Sequence, residues 1–142
     1  MKKYDVGYTT GVFDMFHVGH LNILKRAKAQ CEHLIVGVST DELVKSYKEK
    51  PPIIPFEERF AIVGAIKYVD EVLPQTTMDK LKAWKQLKFN VLFHGTDWKD
   101  SEMYNAIVKQ FSPLGVDVVF LPHTSGVSST LLADVLQKIH AE

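Results

Sequence analysis

The sequence predicts one α/β domain, residues 1–142, built as a doubly wound parallel sheet of about five strands with helices on both faces. Three observations predict it. Short apolar, β-branched runs alternate with stretches of helical spacing along the whole chain. No repeat, low-complexity tract or composition break divides it. Hydrophobic residues make up 46% and charged residues 24% of 142 residues, the mixture of a globular domain long enough to bury a core.

The elements follow in order. Tyr4–Thr9 reads as the first strand. Leu21, Leu24, Ala27 and Cys31 recur three or four apart and share one helix face. Leu34–Ser39 is the second strand, and Ser39 with Glu42 forms a capping-box pair opening the next helix. Lys45–Pro55 interrupts the pattern. Pro51, Pro52 and Pro55 exclude regular helix, while Lys45, Lys48 and Lys50 favour water or phosphate, so a mobile basic loop is expected. Phe56–Lys67 reads as helix, with Phe60, Val63 and Ile66 or Lys67 on one side. Glu71–Leu73 is a short, weak strand candidate. Leu81, Trp84 and Leu87 mark a helix, with Trp84 assigned to packing. Val91–His94 and Val116–Leu121 are strands. Tyr104, Ile107, Val108 and Phe111 mark the helix between them, and Leu132, Val135, Leu136 and Ile139 a closing helix.

Charge and composition exclude several roles. Lysine plus arginine equals aspartate plus glutamate at 17 each, without the basic excess that gripping a nucleic acid backbone requires. One cysteine, Cys31, allows neither an intramolecular disulfide nor a cysteine-based zinc site. Met1-Lys2-Lys3 is followed by Asp5 rather than a long apolar run, so no signal peptide is read. Stretches such as Ala61–Ile66 fall far short of the roughly 20 residues that span a bilayer. The expectation is a cytoplasmic protein without membrane insertion.

In such a sheet, ligands bind beyond the carboxyl ends of the strands near a topological switch point. After the first strand comes Thr9-Thr10-Gly11-Val12-Phe13-Asp14-Met15-Phe16-His17-Val18-Gly19-His20. Gly11 and Gly19 permit close approach of backbone to a ligand. A helix begins inside the stretch, and free amides at a helix start suit phosphate. His17 and His20, three apart, point the same way and can donate hydrogen bonds to a phosphoryl group gaining charge. They are expected to line a cleft, so replacing them should change stability little. A zinc pair or two structural histidines are the plainer readings; no third metal ligand lies nearby in sequence. Ser128, Ser129 and Thr130 open the last helix, as a second phosphate cradle or as ordinary caps. Arg59 is either an ion-pair partner of Glu57 or Glu58 or a grip on substrate. Trp98, after the strand Val91–His94, either stacks near a base or packs.

The stretch Gly11–His20 resembles the signature of the nucleotidyltransferase superfamily that carries a His-x-Gly-His motif, and Phe13-Asp14 resembles its cytidylyltransferase branch. Lys67-Tyr68-Val69-Asp70-Glu71-Val72 resembles that branch's Arg-Tyr-Val-Asp-Glu-Val. Gly95-Thr96-Asp97-Trp98 resembles Gly-Asp-Asp-Trp, and Thr124–Thr130 resembles Thr-Glu-Gly-Ile-Ser-Thr-Thr. The four motifs come in order and span nearly the whole chain, whose length matches the compact bacterial glycerol-3-phosphate cytidylyltransferases.

The resemblance implies a Rossmann-like fold and a single-step nucleotidyl transfer. A substrate phosphate oxygen attacks the α-phosphorus of CTP in line and pyrophosphate leaves. It implies catalytic roles for His17 and His20, with Lys48 and Lys50 closing over the triphosphate unless they are merely a solvated charge run. It implies nucleotide contacts from Thr9, Thr10, Gly11, Val12, Phe13 and Gly19. Further contacts are implied for Gly95, Asp97, Trp98, His123 and Thr124, and for Ser128, Ser129 and Thr130. Arg59 and Lys67 would bind substrate, the motif opened by Lys67 lying near the subunit interface of a homodimer; for Lys67 the plain reading is a helix-ending lysine. Magnesium would shield the triphosphate without a separate protein metal site. The acceptor would be a small phosphorylated alcohol, glycerol 3-phosphate first. The sequence departs from the pattern at Lys67, Thr96 and His123-Thr124-Ser125-Gly126, which stand for an arginine, an aspartate and Arg-Thr-Glu-Gly. Neither lysine nor histidine reproduces the planar fork of arginine. Ser128–Leu132 also has the flavour of the adenylyltransferase branch, which would use ATP with a sugar phosphate or flavin acceptor. A nucleotide-binding module of low turnover is the non-enzymatic alternative.

Overall fold

Apolar, β-branched runs become strands here because a parallel sheet buried on both faces needs apolar residues at successive positions. The computed structural model describes residues 2–95, 102–122 and 135–136. Its strands are β1 (Tyr4–Gly11), β2 (Cys31–Ser39), β3 (Glu71–Gln75), β4 (Val91–Gly95) and β5 (Asp117–Leu121). They form one sheet in the order β3-β2-β1-β4-β5, every pair parallel. The helices are α1 (Val18–Lys28), α2 (Asp41–Tyr47), α3 (Phe56–Gly64), α4 (Lys80–Leu87) and α5 (Glu102–Phe111). This is the doubly wound parallel α/β fold that the sequence predicts. Of the expected closing helix, Val135 and Leu136 are described, and both are helical.

Alternate strand residues serve opposite faces. Leu34, Val36 and Val38 join Val91 and Phe93 under Leu24 and Ala27 of α1 and Val63 of α3. Ile35 and Leu92 join Tyr8, Phe89 and Phe111 on the other face, where Leu81, Trp84 and Leu87 of α4 pack. Each fully buried Leu, Val or Phe contributes about 1.5–3 kcal/mol. Trp84 packs as expected, with the Lys88 ammonium 4.0 Å from its ring centre.

Several boundaries differ from the sequence reading. Cys31 does not continue the face of α1; it is the first residue of β2, and it packs beside Gly7. A Cβ at Gly7 would lie 2.8 Å from the Cys31 sulfur and 2.7 Å from the Phe93 ring. Thr40, not Ser39, caps α2, its hydroxyl accepting from Leu43 N–H at 3.2 Å. Ser39 ends β2 and donates to Gln75 Oε1 at 2.7 Å. Lys45 lies within α2, so the irregular segment is shorter than expected. β3 runs through Pro74 to Gln75 because it is an edge strand, where a missing N–H is tolerated. Among the described residues no helix is long and apolar enough to cross a membrane.

Candidate active site

The order of strands places the carboxyl ends of β1 and β4 side by side. β1 leads into a tight turn in which Phe13 and Met15 adopt positive φ, 55° and 47°. Non-glycine residues pay for that conformation, and they hold it where surrounding contacts leave no alternative. Gly11 makes room for the turn, since a Cβ there would lie 3.0 Å from the Phe13 ring.

His17 is the N-cap of α1. Its Nδ1 accepts from Gly19 N–H at 3.0 Å, and His20 Nδ1 accepts from His17 N–H at 3.2 Å, a reciprocal capping box made of two imidazoles. The rings stack with centroids 4.0 Å apart. With Nδ1 an acceptor in each ring, the neutral tautomer carries its proton on Nε2. His17 Nε2 is buried and has no hydrogen-bond partner among the described residues. Burial holds His17 below the usual histidine range. Burial, reinforced by His17 and opposed by Asp14, lowers His20 to about 4. Both rings are therefore neutral near pH 7. Phe13 and Phe16 flank His20 at 5.5 and 5.2 Å between ring centroids.

The structure redistributes several expected site residues. Thr9 is 3% exposed and donates its hydroxyl to Phe93 C=O at 3.1 Å, tying β1 to β4. Phe13 is buried and supports His20. Val12 gives its carbonyl to Arg59. Arg59 is 1% exposed and pairs with neither Glu57 nor Glu58. Its guanidinium donates to Ile54 C=O at 2.9 Å, to Val12 and Ser39 C=O at 2.7 Å each, and to Asp41 Oδ1 at 2.6 Å. A guanidinium so occupied locks the ends of β1 and β2 to the start of α3, which replaces the expected grip on substrate. Lys67 is exposed before β3, at the amino edge of the sheet, opposite the histidines, so within one chain it does not join them. Its ammonium lies 5.2 Å from the Tyr68 ring centre. Lys48 and Lys50 are exposed between α2 and Ile53. Gly19 lies in the first turn of α1, Thr10 near the end of β1, and Gly95 closes β4. Asp97, Trp98, His123, Thr124, Ser128, Ser129 and Thr130 lie outside the described residues.

One residue that sequence reasoning missed is Lys80. It opens α4 behind the Asp79 cap, is 5% exposed, and its ammonium hydrogen-bonds the Thr10 hydroxyl. Burial lowers it to about 8, and burial with the nearby Lys80 charge lowers His94 to about 4. The signal was present: Lys80 is spaced four and seven residues from Trp84 and Leu87, on the apolar face of its helix. Beyond β2 and β3 opens a cleft of about 530 Å³ lined by Thr40, Glu42, Leu43, Ser46 and the loop Thr76–Met78 that leads to Lys80.

Residues 8–135 match the family model described as cytidylyltransferase-like. The chain is 35% identical to the glycerol-3-phosphate cytidylyltransferase of Bacillus subtilis (strain 168), over 89% of this chain and 92% of that protein. It is 36% identical to the FAD synthase of Pyrococcus horikoshii, over 91% and 88% respectively. Among solved structures it is similar to a lipopolysaccharide core biosynthesis protein from Thermoplasma volcanium, with a TM-score of 0.71 and 27% identity, over 85% of this chain and 97% of that one.

Proposed function

The chain belongs to the cytidylyltransferase-like family of nucleotidyltransferases, and on that premise we propose that it transfers CMP from CTP to glycerol 3-phosphate or a close phosphate ester. The acceptor's phosphate oxygen attacks the α-phosphorus, the bond to the β-phosphate oxygen breaks, and pyrophosphate leaves as a CDP-alcohol forms. The acceptor is already a nucleophile, so the chain supplies position and charge stabilisation.

The observation that carries this reading is the buried Nε2 of His17, without a partner among the described residues, beside His20 at the start of α1. A buried N–H donor without a partner is a preorganised place for a phosphoryl oxygen that gains charge. Lys48 and Lys50 supply cations for the triphosphate. The hydroxyls of Thr40, Ser46, Thr76 and Thr77 suit a polyol, and Lys80 suits its phosphate. Magnesium belongs to this proposal as part of the nucleotide substrate, by family likeness. The homodimer belongs to it by family likeness, and sedimentation tests it.

The similarity to an FAD synthase favours a second reading, adenylyl transfer from ATP to a flavin phosphate. Pyrophosphate release, measured for CTP and ATP against glycerol 3-phosphate, phosphocholine, phosphoethanolamine, sugar phosphates and flavin mononucleotide, separates the two. Release with CTP and glycerol 3-phosphate is expected. Release with no pair at all would leave a nucleotide-binding module.

A further inference from the structure

Asp14 lies between the two positive-φ residues of the histidine turn, and its carboxylate reaches across to a distant loop. Its Oδ2 accepts from Ile53 N–H and its Oδ1 from Ile54 N–H, both at 2.8 Å. Ile53 and Ile54 belong to no helix or strand, so these amides have no backbone ladder to join. Two bonds to one charged acceptor are the strong kind of hydrogen bond. Arg59 grips the same short segment through Ile54 C=O, while also holding Val12 C=O in the histidine turn. Residues 53–54 are thus fastened to the turn at donor and acceptor alike. The exposed lysines of the adjoining segment, Lys48 and Lys50, precede this fastening by five and three residues. A bare carboxylate beside a triphosphate would repel it; here that charge faces two backbone amides.

We propose that Asp14 is a positioning residue that latches the root of the lysine segment onto the histidine turn, so that Lys48, Lys50 and the histidine pair meet one triphosphate. The proposal rests on the nucleotidyl-transfer reading above. A carboxylate is needed because both partners are donors: asparagine would turn its NH2 towards one of the two amides.

The test is a mutant cycle with the nucleotide and acceptor that the wild-type chain uses. Asp14→Asn, the pair Lys48→Ala with Lys50→Ala, and all three together are compared for nucleotide KM, kcat and melting temperature. Asp14→Asn is expected to raise nucleotide KM at least ~10-fold with kcat changed less, and to add no more than ~2-fold once the lysines are gone. Residues acting through one another are non-additive in this way. A full multiplicative loss in the triple variant, or a fall in kcat with KM unchanged, would overturn the latch. Ile53→Pro deletes one donor without touching the carboxylate and is read in the same way should Asp14→Asn fail to fold. An unchanged KM in Ile53→Pro counts against the proposal. A wild-type chain that releases pyrophosphate with no nucleotide defeats the underlying reading instead, a result distinct from an active enzyme with additive variants.

Discussion

His17 and His20 cap each other's backbone: the Nδ1 of His17 takes the amide of Gly19, and the Nδ1 of His20 takes the amide of His17. One sequence motif thus builds the helix start and stacks the two imidazoles with ring centroids 4.0 Å apart. Sequence alone led to the expectation that these residues affect rate and not stability. The cap makes stability part of their role.

His17→Ala should lower turnover at least ~100-fold, the scale of losing one preorganised donor. It should also destabilise the chain by about 1 kcal/mol through the lost cap. His17→Asn should recover the stability, because asparagine is a good N-cap, and leave turnover low. Urea unfolding and pyrophosphate release on the two variants check this. Equal turnover in His17→Asn and wild type would remove the phosphate role.

Acid should destabilise the fold through its neutral histidines. His20 and His94 titrate at about 4 when folded, against about 6.5 when unfolded. Between these values the unfolded chain binds protons that the folded chain refuses, so stability falls as pH drops from 6.5 to 4. The full effect is up to about 3 kcal/mol for each group. His94→Gln should flatten the urea midpoint between pH 7 and pH 4.5 relative to wild type.

Lys80 should show the same sign at the alkaline end. Burial brings it to about 8 in the folded chain, against 10.5 unfolded. From pH 8 towards 10.5 the unfolded chain carries the extra proton, so stability rises with pH, by on the order of 3 kcal/mol in full. Lys80→Met should abolish the rise measured from pH 7.5 to 9.5. It should also raise acceptor KM at least ~10-fold while nucleotide KM stays within ~2-fold. An unchanged acceptor KM would confine Lys80 to packing.

Arg59→Met should cost at least about 3 kcal/mol, because it leaves Asp41 and the carbonyls of Val12, Ser39 and Ile54 without their shared donor. Lysine should not rescue it, having one nitrogen where the fork offers three. Guanidinium unfolding measures the loss. A variant of native stability with a selectively raised acceptor KM would return Arg59 to substrate binding.

The strands, the order of helices and the histidine pair were legible because each is written locally. A run such as Leu34–Val38 is apolar at every position only if both faces are covered, and His17 with His20 need only one helical turn to meet. The fates of Arg59, Lys80, Thr9 and Cys31 were decided by tertiary structure. Arg59 is buried because carbonyls after β1, at the end of β2 and before α3 converge on one point, and nothing in Phe56–Arg59 encodes that convergence. Lys80 is buried because α4 packs its first turn against Thr10, seventy residues earlier in the chain. Cys31 is a strand residue because it pairs with Tyr4 in the β1–β2 ladder, and Gly7 leaves room for its sulfur. Local periodicity reports which face a residue belongs to, and only the packed sheet determines which groups share that face.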